Sequence, residues 1–230
     1  MKNWFHLLLL LLAAALFAGC AGTQKKIPQQ LPGESLQATV FRCPDGFQFT
    51  VHWSGDGARA DVVLPNATAF LKRDISGSGA RYTASKMELW NTGDEAYLKL
   101  YEREYRGCRE DRWPSVVMDA RYRGVAFRGS GNEPPWVFEM GREMMVMITG
   151  YERETTVFPI SSAPAGPSEK QPAPDIRKDA VSGEHRIRVA ASPADCRDAM
   201  SGAAFPYRVR IESEKGIFRG CGGWLPPPPE

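Results

Sequence analysis

Phe47-Gln48-Phe49-Thr50-Val51-His52-Trp53 decides how this chain is read, because Phe47, Phe49, Val51 and Trp53 alternate with polar residues. A period of two is that of a strand with one buried face. Upstream, the turn Pro44-Asp45-Gly46 separates this strand from Thr39-Val40-Phe41-Arg42-Cys43. Downstream, Ser54-Gly55-Asp56-Gly57 leads into Ala58 to Leu64, where Ala60, Val62 and Leu64 share a face. Thr68 to Lys72, Arg81 to Ser85, Met87 to Trp90 and Glu95 to Tyr101 continue the series, with turns at 76–79 and 91–94. Short strands at this spacing predict an antiparallel sandwich or small barrel. No part of this series has a helical moment.

The N-terminus reads differently. Met1-Lys2 gives a positive start, Leu7 to Leu12 is unbroken leucine, and Ala13 to Gly19 turns small before Cys20, the pattern of a secretory signal over residues 1–19. Leu16-Phe17-Ala18-Gly19-Cys20 resembles a bacterial lipobox. That resemblance implies cleavage before Cys20 and its acylation, and with Ala21 following, an outer-membrane lipid anchor facing the periplasm. Two or more acyl chains make such anchoring stable. Residues 20–37, rich in Gly, Gln, Lys and Pro, are expected to be a lipidated tether.

Export to an oxidising compartment makes the cysteines informative. With Cys20 assigned to lipid, Cys43, Cys108, Cys196 and Cys221 remain, two in each half of the mature chain. The simplest pairing is Cys43 with Cys108 and Cys196 with Cys221. The alternative is four free or metal-bound thiols. Against it, no C-x-x-C occurs and His6, His52 and His185 are scattered, so no metal and no cofactor is expected. Net charge is +2 and the charges are mixed, which is no nucleic-acid footprint.

A first domain at 38–111, with Cys108 just after its last strand, is followed by a β-rich second domain at 112–230. In the latter, Val125 to Arg128, Val137 to Glu139, Met144 to Thr149, Thr155 to Ile160, His185 to Val189, Tyr207 to Glu212 and Gly216 to Cys221 read as strands. Cys196 to Met200 reads as a short helix, Ser161 to Pro174 as a mobile excursion, and Pro226 to Pro229 as an extended tail.

Enzyme signatures are poor. Gly77-Ser78-Gly79 lacks the G-x-S-x-G frame, and Gly129-Ser130-Gly131 lacks the Lys-Ser or Lys-Thr of a phosphate loop. Glu102 and Glu104 share a strand face, where solvated carboxylates are the ordinary reading. No nucleophile, base and orienter come together, so the chain is expected not to be an enzyme.

Cys43, the Gly46 turn, Ser78-Gly79-Ala80-Arg81-Tyr82, Leu89-Trp90 with Gly93 and Ala96, and Cys108 together resemble the membrane-bound inhibitor of C-type lysozyme family, MliC. The resemblance implies an eight-stranded antiparallel barrel that blocks the substrate cleft of C-type lysozyme. It places Ser78, Gly79, Ala80, Arg81, Tyr82, Thr92 and Gly93 at the lysozyme contact, with Ser78 as the hydroxyl donor. Tyr82 and Trp90 read as packing or loop-bracing residues. Where the family commonly carries Lys before the second-loop glycine, this chain has Thr92, and Arg81 or Lys86 is the candidate replacement.

Phe127 to Trp136, Met200-Ser201-Gly202 through Phe205-Pro206, and Gly220-Cys221-Gly222 are similar to a family of uncharacterised bacterial envelope proteins. Asn132, Glu133 and Trp136 there could bind glycan, or the segment could be a rigid turn. The expected function is lysozyme inhibition. The alternative is a non-inhibitory lipoprotein that is structural or binds the cell wall, with peptidoglycan as its partner.

Overall fold

The computed structural model describes residues 37–162, 166–167 and 174–229. The signal segment, Cys20 and most of the tether lie outside the described residues, as does much of the excursion after Ser161.

The alternating stretch becomes β1 (Ala38–Arg42) and β2 (Gln48–Trp53), followed by β3 (Arg59–Leu64), β4 (Ala67–Asp74), β5 (Ala80–Ala84), β6 (Met87–Thr92), β7 (Glu95–Leu100) and β8 (Arg103–Glu110). Each strand pairs antiparallel with the next, and β8 returns to β1, closing an eight-stranded barrel. Its interior is filled by the inward residues of the alternation, among them Phe41, Phe49, Val51, Val62, Leu71, Tyr82, Leu89 and Leu98. Each fully buried Phe or Leu contributes about 1.5–3 kcal/mol.

β8 is the strand that alternation does not announce: REYRGCRE buries only Cys108, so its apolar face is one residue wide. Cys108 therefore sits inside the last strand rather than after it. It is bonded to Cys43, which follows β1. The disulfide ties the two strands of the seam, where only Phe41↔Glu110 and Arg42↔Arg109 are paired.

The chain then forms a helix, α1 (Arg112–Tyr122), which the strand-by-strand reading does not foresee. Pro114 is tolerated there because first-turn N–H groups have no intrahelical acceptor. Its buried stripe is polar: Ser115, Asp119 and the C-capping Arg123 follow at intervals of four and are 0%, 5% and 3% exposed. Each polar group is satisfied. Ser115 Oγ accepts the Val40 N–H at 2.9 Å, and Asp119 Oδ1 accepts the Gln37 N–H at 2.7 Å. Asp111 N–H donates to Val40 O at 2.8 Å. The start of β1, beyond the reach of β8, thus completes its hydrogen bonding on α1.

The same helix joins the second domain. Arg123 donates to Asp119 Oδ2 at 2.7 Å and to both oxygens of Glu139 at 2.6 and 2.9 Å, all inside the protein. His52 stacks on Tyr122 with centroids 4.2 Å apart, and Trp113 meets Phe205 edge-on.

The second domain comprises β9 (Phe127–Asn132), β10 (Pro135–Met140), β11 (Met144–Thr149), β12 (Glu154–Pro159), β13 (Ile176–Ser182), β14 (His185–Arg197), β15 (Ala204–Ser213) and β16 (Gly216–Trp224). Their order, β12-β11-β10-β9-β16-β15-β14-β13, is again a meander. Here the β9–β16 seam is paired and the ring stays open between β12 and β13.

Several expectations change. Cys196 and Arg197 belong to β14 rather than to a helix, and Asp198 to Gly202 form the turn after it. Cys196 is bonded to Cys221 across β14 and β16. β13 escaped notice because its inward Ile176 is followed by charged and half-exposed positions. The Gly129–Trp136 segment is a hairpin of β9 and β10, and Trp136 is 3% exposed. Its indole lies over Gly131 and Gly220, where a Cβ would come within 2.3 and 2.8 Å of the ring. Trp136 therefore cannot stack on a glycan, and the glycines are needed to seat it.

Replacing Arg123 with Ala strands two buried carboxylates. We expect Arg123→Ala to lower stability by about 3–5 kcal/mol, measured by urea unfolding. A loss under about 1 kcal/mol would mean that the stripe does not hold α1 in place.

Candidate functional site

Ser76-Gly77-Ser78-Gly79 between β4 and β5 offers no apolar residue to bury, so the chain projects. Gly79 brings it back. Its φ of +64° is left-handed, and a Cβ there would lie 2.4 Å from Asn91 O and 2.9 Å from Thr92 Cγ2. Only glycine permits both the conformation and this close approach to β6. The Trp90 indole N–H donates to Ser78 O at 2.9 Å, and Ser76 Oγ donates to the same carbonyl.

The turn between β6 and β7 sits alongside. Gly93 has φ +79°, and the Asn91 amide donates to Gly93 O and Glu95 O at 2.9 and 3.3 Å. Because Ala80 pairs with Asn91 and Gly79 lies on the Asn91–Thr92 backbone, the two turns form one ridge at the end of the barrel. Ser78, Gly79, Thr92 and Gly93 are all exposed on it. Ser78 Oγ has no hydrogen-bond partner among the described residues.

The other residues of the motif lie below the ridge. Ala80 is half-buried. Arg81 is held by Glu88 at 2.8 Å and by Asp74 at 3.5 Å, clamping β4, β5 and β6, and the Glu88 hydrogen bond raises its pKa further. Tyr82 is 3% exposed in the core; its hydroxyl donates to Gly57 O at 3.2 Å and accepts from Arg73 at 3.3 Å. This is the packing position expected of Tyr82, which supports the ridge from inside. Trp90, 40% exposed and bonded to Ser78 O, braces it from outside.

The two candidate replacements for a lysine at Thr92 are placed differently. Arg81 is engaged, and Lys86 lies in the turn at the far end of β5, about five residues or roughly 17 Å along the strand. A shallow groove of about 440 Å³ beside the ridge is lined by Glu88, Trp90, Thr92, Glu95, Tyr97 and Arg106. Its cation is occupied too: Arg106 lies over Tyr97 and holds the Glu104 carboxyl below the usual carboxylate range.

Ile75 was missed by the sequence reading. It is 92% exposed at the base of the projecting loop, and its only signal was an isolated aliphatic residue within a polar, glycine-rich run. Among the described residues no group of His, Cys, Asp or Glu could hold a metal ion.

The first domain is thus a meander barrel filled with side chains that carries a braced, exposed ridge at one end. The family model described as membrane-bound lysozyme-inhibitor of c-type lysozyme, MliC, matches residues 41–106, from the end of β1 into β8. The Escherichia coli (strain K12) protein named membrane-bound lysozyme inhibitor of C-type lysozyme is similar at 30% identity over 97 residues, covering 42% of this chain and 83% of that protein. The chain belongs to the MliC family. No solved structure matches it.

Gly79→Ala should displace the ridge while leaving the barrel folded. The expected cost is about 1–2 kcal/mol, with amide shifts confined to 75–80 and 90–93 in NMR spectra. Unchanged spectra there would mean that the contact with Asn91 is not what shapes the loop.

Proposed function

We propose that this chain inhibits C-type lysozyme by inserting the Ser76–Gly79 loop, led by Ser78, into the substrate cleft, with Thr92-Gly93 as the adjoining contact. The observation that carries this reading is the packing of Gly79 against Asn91 and Thr92, which makes one ridge from two turns. Lysozyme acts through two carboxylates, one kept protonated as an acid and one ionised. An unpartnered hydroxyl at the head of a narrow loop is suited to bond with such a group, and glycines on either side let the backbone approach. Ile75 adds apolar area beside the polar tip.

Membrane association, stated in the name of the E. coli relative, suits the lipobox at Cys20. In this reading Cys20 carries the lipid, residues 20–37 form the tether, 38–111 is the inhibitory domain, and the anchor is in the outer membrane facing the periplasm. The protein acts by occupying an enzyme's cleft and has no catalytic role of its own.

Thr92 favours one second reading: a barrel with weakened inhibition in a lipoprotein that binds the cell wall. The cations Arg81, Arg106 and Arg109 beside the ridge are each paired with carboxylates of this chain.

In a muramidase assay, excess purified protein should abolish lysozyme activity. Ser78→Ala should weaken inhibition by about 1–3 kcal/mol, and Thr92→Lys should tighten it by about 1 kcal/mol or more through a charge-assisted bond. Undiminished lysis together with co-sedimentation on peptidoglycan would select the second reading. Cys20→Ala should release the protein from membrane fractions; retention there would remove Cys20 as the anchor.

A further inference from the structure

We propose that the outer face of the second barrel, where it meets α1, holds a binding site for a carboxylate-bearing sugar. The site is a cavity of about 390 Å³ whose walls include Trp113, Arg128, Asn132, Val137, Tyr151 and Arg153. That is within the usual range for a small-molecule site. The inference does not depend on lysozyme inhibition, since it uses a different barrel and different residues.

Arg128 is the central group. On β9, Phe127, Gly129 and Gly131 point inward, which sends Arg128 and Asn132 to the outer face. The Arg128 side chain is only 11% exposed, and its nearest carboxylate oxygen, Glu139 Oε1, is 3.5 Å from Nε. Both Glu139 oxygens accept from Arg123, and Arg128 Nε is buried without a hydrogen bond of its own. No described residue accepts a hydrogen bond from its terminal nitrogens either. Burial lowers the pKa of this guanidinium. Arg153 adds a second positive charge to the wall. Glu139 pairs with the Arg128 charge at 3.5 Å without bonding Nε, and the terminal nitrogens are left for an anion entering the cavity. The planar fork of Arg128 matches a carboxylate.

The remaining walls suit a sugar ring. The Arg128 guanidinium lies 5.5 Å from the Trp113 ring centroid, yet Trp113 remains 49% exposed. Tyr151, on the turn after β11, is 90% exposed. Bare aromatic surface beside polar groups can take the C–H face of a pyranose. Asn132 is oriented by the bond from its Nδ2 to Asp198 Oδ2 at 2.8 Å, which leaves its carbonyl oxygen to accept from a hydroxyl. Of Asn132, Glu133 and Trp136, the cavity wall includes Asn132 and the buried Trp136 but not Glu133, and the exposed aromatic surface comes from Trp113 and Tyr151 instead.

The test is calorimetric titration of the full-length protein with N-acetylmuramic acid, N-acetylglucosamine and inorganic phosphate. The two sugars have the same ring and differ by the lactyl carboxylate. N-acetylmuramic acid should bind at least about tenfold tighter than either other probe. Arg153→Glu and Tyr151→Ala alter exposed side chains, and each should weaken that binding by about fivefold or more. Arg128→Gln should abolish it, and all three variants should inhibit lysozyme as the unaltered protein does. The proposal is overturned if N-acetylmuramic acid fails to bind at millimolar concentration, if N-acetylglucosamine or phosphate binds as well, or if the two exposed variants bind unchanged.

Discussion

A polar stripe holds this molecule together. Ser115, Asp119 and Arg123 line one side of α1; Arg123 bonds Asp119 along it, and each of the three also bonds to another element. The first barrel closes through only two residue pairs between β1 and β8, which leaves the beginning of β1 without a strand partner on that side. Buried backbone N–H groups must be satisfied, and here Ser115 and Asp119 accept those of Val40 and Gln37. Arg123 then carries the connection to Glu139 in the second barrel. One helix of 11 residues therefore completes one barrel and docks it on the other.

The two barrels use one topology with different closures. In the first, the terminal strands meet and a disulfide pins their seam. In the second, the terminal strands pair through β9 and β16, and the opening falls in mid-sequence between β12 and β13. Small residues make that paired seam close. A Cβ on Gly220 would lie 2.0 Å from Ser130 O, and Trp136 occupies the space the glycines leave. The tryptophan that looked available for recognition is the filler of its own barrel.

The ridge of the first barrel is rigid for the same kind of reason. Its shape comes from a glycine pressed on the neighbouring strand, an indole bonded to a loop carbonyl, and an arginine clamped between two carboxylates. These interactions fix the loop before any partner arrives, which reduces the ordering cost of association. They also use up Arg81. The ridge presents a hydroxyl and backbone groups, while Arg81 beside it is paired with Glu88 and Asp74.

Alternation and turn spacing determined that the chain from Ala38 to Leu100 is antiparallel β, because a strand with one wet face must place its apolar residues at every second position. The arithmetic of four cysteines in two halves also gave both disulfides. The residues of the ridge were legible as a motif, Ser78-Gly79 and Thr92-Gly93, though not the fact that the two turns touch. Where burial is polar, the sequence was mute. β8 buries one cysteine, and α1 buries a serine, an aspartate and an arginine, so neither carries the apolar period by which elements are recognised. Only the tertiary structure decided that Trp136 faces inward and that Arg81 is engaged. Those outcomes depend on which side chains meet across strands, and strand pairing brings together residues whose separation along the chain gives no warning of contact.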